Sequence, residues 1–253
     1  MIETTIIEKK KIKMKSPILI EGLPGIGLVG KIAADLIIEQ LKAEKVADLY
    51  SPHFPHQVIM QKNGVMRMIK NRFFFAKGKK HDLLILVGDV QAVTSEAQYE
   101  VTGKMLDYAE KKGVCLTITL RGYGTGKVHD KPRVFGIVSN KPMVETYKKY
   151  GILFGESKGS IIGAAGLLLG LGKLRNMPGL CLMGETHGGF VDAKSAQSVL
   201  EVLCNLLEIK VDLKKLDARA KEGEKFAKKM EQESLAAKGM SGVHGKYDLS
   251  YIR

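Results

Sequence analysis

The residues best suited to bind a phosphate lie in a glycine-rich turn at positions 22–31, with the sequence GLPGIGLVGK. Gly25, Gly27 and Gly30 fit the pattern G-x-G-x-x-G, and they stand between an apolar run typical of a strand and a helical pattern. A helix that begins here would present free N–H groups to a phosphate. Asp48 follows at about the spacing of an acid that binds a ribose. The pattern therefore predicts a dinucleotide site as one interpretation.

The same turn also resembles a P-loop, because Gly25 is followed after four residues by Gly30 and Lys31. The match fails at the next position, where Ile32 replaces the hydroxyl residue that would hold magnesium. A second interpretation is purely structural: the glycines make a tight turn and let the helix approach the sheet. Two hypotheses stay open, a structural turn without a cofactor and a nucleotide- or phosphate-binding enzyme that uses Gly25, Gly27, Gly30 and Lys31.

A second catalytic pattern is the nucleophile-elbow sequence G-x-S-x-G at residues 155–159, with Ser157 as the candidate nucleophile. A triad would also need an acid and then a histidine further along the chain. Glu185 and His187 have that order but are only two residues apart, and His244 lies in a glycine-rich segment. The pattern indicates a Gly/Ser turn at the start of a helix rather than a serine hydrolase.

The metal-ligating residue types are scattered. His53 and His56 have a suitable spacing, but prolines interrupt it and no cysteine or carboxylate cluster accompanies the pair. The three cysteines, Cys115, Cys181 and Cys204, are odd in number and widely spaced, which argues against a disulfide framework or a zinc knuckle. We therefore expect no metal site and no cofactor.

The last residues of the chain, KYDLSYIR at 246–253, follow a segment rich in glycine. Apolar side chains at the end of a flexible segment have no core to fill, so they favour docking into a pocket of a partner. We expect Leu249, Tyr251, Ile252 and Arg253 to make that contact, with the terminal carboxylate meeting a lysine. The alternative is that this end folds back on its own domain.

The amino-acid composition limits the classes of protein to which the chain can belong. Of 253 residues, 45% are hydrophobic and 26% are charged, which is typical of a globular chain. The net charge of +13 is spread along the sequence, and the one dense basic block, residues 9–15, has no interleaved aromatic residues. Nucleic-acid binding is therefore not favoured. The sequence has neither a membrane-spanning apolar run nor the order of a signal peptide, so we expect a cytoplasmic protein.

Strand and helix patterns alternate. The run DLLILVG at 82–88 predicts a buried central strand, a helix follows from Thr94 or Ser95, and Asn63-Gly64 predicts a hairpin over residues 57–76. These signals predict an α/β sheet of mixed pairing with helices on both faces. We expect a core domain at 1–210, a charged helical extension at 211–237 and a flexible tail at 238–253.

Three segments together resemble the proteasome assembly chaperone family, in particular the archaeal homologues of the second eukaryotic assembly chaperone. They are GLPGIGLVGKIAADLI at 22–37, DLLILVGD at 82–89 and the glycine-rich segment 155–200. The similarity covers nearly all of residues 5–235, and it is specific in the order of the segments.

The resemblance implies a three-layer α/β/α fold with a mixed, mostly parallel sheet, like that of phosphorylase and peptidyl-hydrolase domains. It also implies a homo-oligomer with no catalytic activity, whose tails dock on the α-subunits of the proteasome core. The family's C-terminal motif has a hydrophobic residue and then a penultimate tyrosine. Here Tyr251 is third from the end and Ser250 replaces the hydrophobic residue, so the end is a variant of that motif.

Overall fold

A sheet of nine strands forms the centre of the chain in the structure, a computed structural model that describes residues 2–156 and 159–216. A separate two-stranded hairpin stands beside the sheet. The strands are β1 (Thr5–Glu8), β2 (Ile18–Gly22), β3 (Glu44–Tyr50), β4 (Val58–Met60), β5 (Met66–Met68), β6 (Asn71–Ala76), β7 (Leu83–Gly88), β8 (Leu116–Gly124), β9 (Val134–Val138), β10 (Leu153–Phe154) and β11 (Gly179–Thr186). The helices are α1 (Val29–Gln40), α2 (Ser95–Lys111), α3 (Pro142–Tyr147), α4 (Ala164–Leu174) and α5 (Ala193–Leu207).

The strand order is β1-β3-β6-β7-β2-β8-β11-β9-β10. The central four strands, β7, β2, β8 and β11, are parallel, whereas β6 and β9 pair with this group in the antiparallel sense. Every residue of β2, β7 and β11 is buried, because helices cover both faces of the sheet here. The predicted mixed α/β sheet and its central DLLILVG strand are confirmed.

The segment predicted as one hairpin divides into two parts. β4 and β5 pair around Asn63-Gly64 as expected, but β6 leaves the hairpin and joins the main sheet between β3 and β7. Phe73 of β6 is fully buried there against the ring of Tyr108 on α2. The main sheet buries this aromatic side chain, which a free-standing hairpin would leave in water.

Helices form a layer on each face of the sheet, as predicted. α1 and α5 share one apolar core with the sheet, and α2 and α4 share the other. In α5 the buried residues Ala196, Val199, Leu200 and Leu203 follow the helical i, i+3, i+4, i+7 spacing. Side-chain caps fix two helix starts, since Thr94 accepts a hydrogen bond from the Ala97 N–H and Asp192 accepts one from the Ser195 N–H.

α1 approaches the sheet unusually closely, and two glycines make this approach sterically feasible. A Cβ atom on Gly30, in the first turn of α1, would lie 1.9 Å from the carbonyl oxygen of Leu120 in β8. A Cβ atom on Gly22, at the end of β2, would lie 2.4 Å from the Cβ atom of Ala34. At these two glycines the helix therefore rests directly on the backbone of the two central strands.

The chain returns to α1 after α5. Leu216 is buried in the core shared by α1 and α5, and Gln40 and Asp212 exchange two hydrogen bonds. The predicted helical extension thus begins in contact with the body of the protein. The rest of it and the predicted tail lie outside the described residues, so the domain limits stay a prediction. Within the described part of the chain, no helix has the length and apolar character needed to cross a bilayer.

Replacement of Gly30 by alanine tests the close contact. The added methyl group must push α1 away from β8, and we expect the free energy of unfolding to fall by about 1–3 kcal/mol or more. Gly170→Ala in α4 is the matched control, because a Cβ atom there meets nothing within 4 Å. Alanine at that exposed helical position should raise stability by about 0.5–1 kcal/mol. Denaturant unfolding of both variants measures the difference, and an unchanged stability of Gly30→Ala would contradict the packing role.

Candidate functional site

The space beside Gly27, the second glycine of the turn, is filled by protein. The turn forms a short 3-10 segment, Ile26–Leu28, in which Gly27 has a φ of 63°. The Asp192 N–H donates to the Gly27 carbonyl at 2.9 Å, and a Cβ atom on Gly27 would lie 2.9 Å from the hydroxyl oxygen of Thr186. The connection between β11 and α5 therefore covers the place where a pyrophosphate would approach the second glycine of the motif.

The polar groups of the turn are also engaged within the protein. The Leu28 N–H donates to the Gly25 carbonyl at 2.9 Å, and the Val29 N–H donates to the Ile26 carbonyl. The ammonium group of Lys31 pairs with Asp35, one turn along α1, rather than reaching back over the turn. This arrangement favours the structural interpretation of Gly25, Gly27, Gly30 and Lys31 over a phosphate cradle.

Asp48, the candidate ribose-binding acid, lies far from the turn. It is on β3, and β7 and β6 stand between β3 and β2, which leads into the turn. At a spacing of about 4.8 Å per strand, β3 is about 14 Å away from β2. Asp48 is buried and pairs with Lys70 at 3.0 Å and with Lys45 at 3.4 Å. The strand order therefore lacks the adjacent pair of strands that a dinucleotide fold requires.

The residues of the hydrolase pattern are not brought together in the described part of the chain. Ser157 and His244 lie outside the described residues. Glu185 is buried and accepts three hydrogen bonds from Arg133, including one of 2.7 Å from the guanidinium. Burial by itself raises the pKa of Glu185, but these bonds hold it below its usual value. His187 instead stacks on Phe190, with ring centroids 5.1 Å apart.

Metal and thiol chemistry have little support in the described residues. Residues 2–156 and 159–216 contain no group of three or more His, Cys, Asp or Glu side chains arranged to hold a metal ion. The Nε2 atom of His53 lies 3.8 Å from a carboxylate oxygen of Glu100. Burial raises the pKa of the Cys181 thiol to about 12 and that of Cys204 to about 11, so both are protonated at neutral pH.

The β4–β5 hairpin exposes an apolar surface. Val58 pairs with Met68 and Met60 pairs with Met66, so these four side chains share one face, which we call the hairpin face. Their exposed fractions are 45%, 59%, 88% and 69% in that order. The hairpin face carries no charged side chain. Among the described residues it is the candidate interaction surface, because clustered exposed apolar side chains mark such sites.

The opposite side of the hairpin is anchored to the main sheet. Ile59 packs against the core that contains α2, and Arg67 donates two hydrogen bonds to Asp89, at 2.6 Å and 3.1 Å. Asp89 also accepts bonds from the Lys70 N–H and from Arg72. Burial raises the pKa of Asp89, but the bonds from Arg67 and the charge of Arg72 outweigh it and hold the pKa below its usual value. The hairpin face is therefore presented on a fixed support.

The sequence predicted the hairpin but not its uncovered face. The alternation in QVIMQ and VMRMI places Val58, Met60, Met66 and Met68 on one side, and this was the available signal. Alternation alone does not say which side meets the core, since Ile59 on the other side is apolar too. The predicted tail contacts Leu249, Tyr251, Ile252 and Arg253 lie outside the described residues, so the tail contact stays a prediction.

Comparison with known proteins finds relatives over nearly the whole chain. The model of the PAC2 family matches residues 19–231. The crystal structure of Pyrococcus furiosus PbaB, an archaeal proteasome activator, is similar with a TM-score of 0.86 and 44% identity, over 91% of this chain and 100% of that chain. Pyrococcus furiosus PbaA, an archaeal homolog of proteasome-assembly chaperone, has a TM-score of 0.75 and 26% identity, over 93% of this chain and 94% of that chain.

A third relative is an uncharacterized protein of Methanocaldococcus jannaschii. It is 35% identical over 242 residues, which cover 94% of this chain and 93% of the relative. The matches to this protein, to PbaB and to PbaA extend over the whole body of the fold rather than over the glycine turn alone.

The anchor of the hairpin is tested by Asp89→Asn. The substitution keeps the shape but removes the charge that holds Arg67 and Arg72, and bonds to charged groups contribute about 1.5–3 kcal/mol each. We expect amide protons of β4 and β5 to exchange about tenfold faster or more, measured by hydrogen–deuterium exchange. Asp107→Asn, which removes a partner of Arg175 on α2, is the control and should leave the hairpin unchanged. Equal exchange in the wild type and Asp89→Asn would show that the ion pairs do not fix the hairpin.

Proposed function

Because the chain belongs to the PAC2 family, we propose that it is a non-enzymatic, chaperone-like protein that binds the proteasome. The observation that carries this proposal is the similarity to PbaB, which is 44% identical with a TM-score of 0.86 over 100% of that chain. PbaB is described as an archaeal proteasome activator, and PbaA as a homolog of an assembly chaperone. The similarity extends over an entire protein, so it supports a shared role more strongly than a local motif would.

The geometry of the glycine turn supports a binding role over a catalytic one. Gly27 is covered by the connection that contains Asp192, the N–H groups of Leu28 and Val29 are bonded within the turn, and Lys31 pairs with Asp35. These contacts disfavour the alternative of a nucleotide- or phosphate-binding enzyme. A protein of this kind acts through its surfaces, and its partner is a macromolecule.

The proposed partner is the α-subunit ring of the proteasome core particle, in the cytoplasm. The proposed contact is the end of the chain, with Leu249, Tyr251 and Ile252 entering a pocket and the carboxylate of Arg253 meeting a lysine. Several tails on one oligomer would raise the avidity for a ring that repeats the same pocket. The shifted position of Tyr251 predicts an altered fit rather than a lost contact.

A homo-oligomer would present several tails, and we assign the hairpin face to contact between copies of the chain. The face carries no charge, so a second neutral apolar face complements it without unpaired ions. The nearby charges point elsewhere, since Arg67 pairs with Asp89 and Lys70 with Asp48 behind the hairpin. Interfaces between identical subunits are richer in apolar residues than other protein surfaces. The four side chains are fewer than the about 20–30 residues per side of a stable interface, so other contacts must contribute.

Removal of residues 247–253 tests the proposed tail contact. We expect the truncated chain to keep its melting temperature, because these residues belong to the predicted flexible tail, and to lose binding to proteasome α-subunits in a pull-down. Tyr251→Ala in the full chain should weaken binding at least tenfold, whereas Lys246→Ala, just before the removed segment, is the control. Undiminished binding by the truncated chain would contradict the tail contact.

Charged residues on the hairpin face test the proposed self-association. Met60→Lys with Met66→Lys should lower the molar mass measured by light scattering during gel filtration, because burial of the face would then desolvate two charges. Leu174→Lys is the control, since Leu174 is 81% exposed at the end of α4 and is not one of the four side chains of the hairpin face. A double variant of unchanged mass would exclude the hairpin face as the contact between copies.

A further inference from the structure

A cleft opens where β8 and β11 approach their carboxyl ends. It has a volume of 210 Å³, and it lies between these strands, the glycine turn and the segment that precedes α4. Ligands of open α/β sheets bind at the carboxyl ends of the parallel strands. The volume is below the roughly 300–1,000 Å³ of sites for drug-sized ligands, so the cleft suits a smaller molecule.

Most of the side chains that line the cleft are apolar. Ile26 enters from the glycine turn, Ile137 from β9, Ile161 from the segment before α4 and Met183 from β11. A Cβ atom on Gly122 would lie 2.5 Å from the Ile26 carbonyl oxygen, so a glycine in β8 brings this wall close. The walls therefore favour the hydrocarbon part of a ligand.

Arg121 supplies a positive charge to the same cleft. Its Nη1 atom donates to the Ile162 carbonyl at 3.1 Å, and its Nε atom donates weakly to the Gly122 carbonyl at 3.4 Å. No carboxylate of the described residues forms an ion pair with it. The other four arginines in that part of the chain, Arg67, Arg72, Arg133 and Arg175, each pair with a carboxylate. Arg121 is half-buried and lines the cleft. Unlike the other four arginines, it is not paired with a carboxylate of the described residues.

Glu21 is a buried acidic side chain of the sheet whose charge interacts with that of Arg121. It lies opposite Thr119, two residues before Arg121 on the same face of β8. One of its oxygens accepts a bond from the Leu23 N–H at 2.9 Å, and the other has no hydrogen-bond partner among the described residues. Burial raises the pKa of Glu21 to about 7 although Arg121 lowers it. Cys181, opposite Thr119 on β11, is a protonated thiol. Below neutral pH the carboxyl group is uncharged and leaves Arg121 available.

We propose that the cleft binds a small apolar monocarboxylate, whose carboxylate pairs with Arg121 and whose hydrocarbon part packs against Ile26, Ile137, Ile161 and Met183. The planar guanidinium matches a carboxylate through two parallel hydrogen bonds. Among the described residues the cleft holds one uncompensated charge, which matches a monoanion and separates this ligand class from polyphosphates. The site is independent of the proposed proteasome contact, because it requires neither the tail nor the hairpin face.

Titration calorimetry of the full chain with 4-methylpentanoate tests the site directly at about pH 6, where Glu21 is mostly protonated. The matched probe is 4-methylpentanamide, which keeps the hydrocarbon part and removes the charge. We expect the acid to bind at least tenfold more tightly than the amide, and Arg121→Gln to abolish the difference. Arg175→Gln, on the surface near α2, is the control and should bind like the wild type. Equal affinity of acid and amide for the wild type would overturn the proposal, whether or not Arg121→Gln folds.

The pH dependence gives a second readout. As the pH rises through about 7, Glu21 loses its proton and its negative charge opposes the ligand. We expect the affinity for 4-methylpentanoate to fall by several-fold between about pH 6 and pH 8, and Glu21→Gln to remove that fall. An affinity that rises over this range would contradict the arrangement of Glu21 and Arg121.

Discussion

The contact between the first turn of α1 and the backbone of β8 constrains the rest of the molecule. A methyl group at Gly30 would lie 1.9 Å from the Leu120 carbonyl oxygen, so hydrogen is the only side chain that fits. With α1 this close, the preceding turn folds beneath the connection that contains Asp192, which bonds to Gly27. Two of the glycines that suggest a phosphate site, Gly27 and Gly30, are thus explained by close packing. The same close contact places Ile26 against β8 and forms one wall of the cleft.

Most of what could be predicted from the sequence depended on patterns within single segments, such as apolar runs and helix caps. The continuous apolar run of β7 identified a strand buried on both faces, and Thr94 or Ser95 marked the start of α2, which Thr94 caps. Such patterns do not predict the order of the strands, because that order depends on pairing between segments that are distant in the sequence. Asp48 shows the consequence: its spacing from the turn suits a ribose acid, but two strands separate β3 from β2. Similarly, the departure of β6 from the hairpin depends on where Phe73 finds a core.

Two surfaces, the hairpin face and the cleft that contains Arg121, have features that packing of the core does not require. The hairpin face exposes three methionines on a support held by Asp89, and flexible methionine side chains adapt well to another surface. The cleft combines apolar walls with Arg121, an arginine without the ion pair that its described counterparts have. Neither surface was visible in the sequence, because alternation does not give the direction of a face and the sequence does not show that Arg121 faces a cleft without a paired carboxylate. Together with the family membership, they describe a protein that acts by binding.

Binding to the proteasome without a nucleotide is tested most directly by sedimentation of the full chain mixed with purified Pyrococcus furiosus proteasome core particle, with and without magnesium–ATP or NAD. We expect a co-sedimenting complex whose affinity is the same in the presence and absence of either nucleotide, because protein contacts cover Gly27 in the glycine turn. Absence of a complex at concentrations of tens of micromolar, or a complex that forms only with a nucleotide, would contradict it.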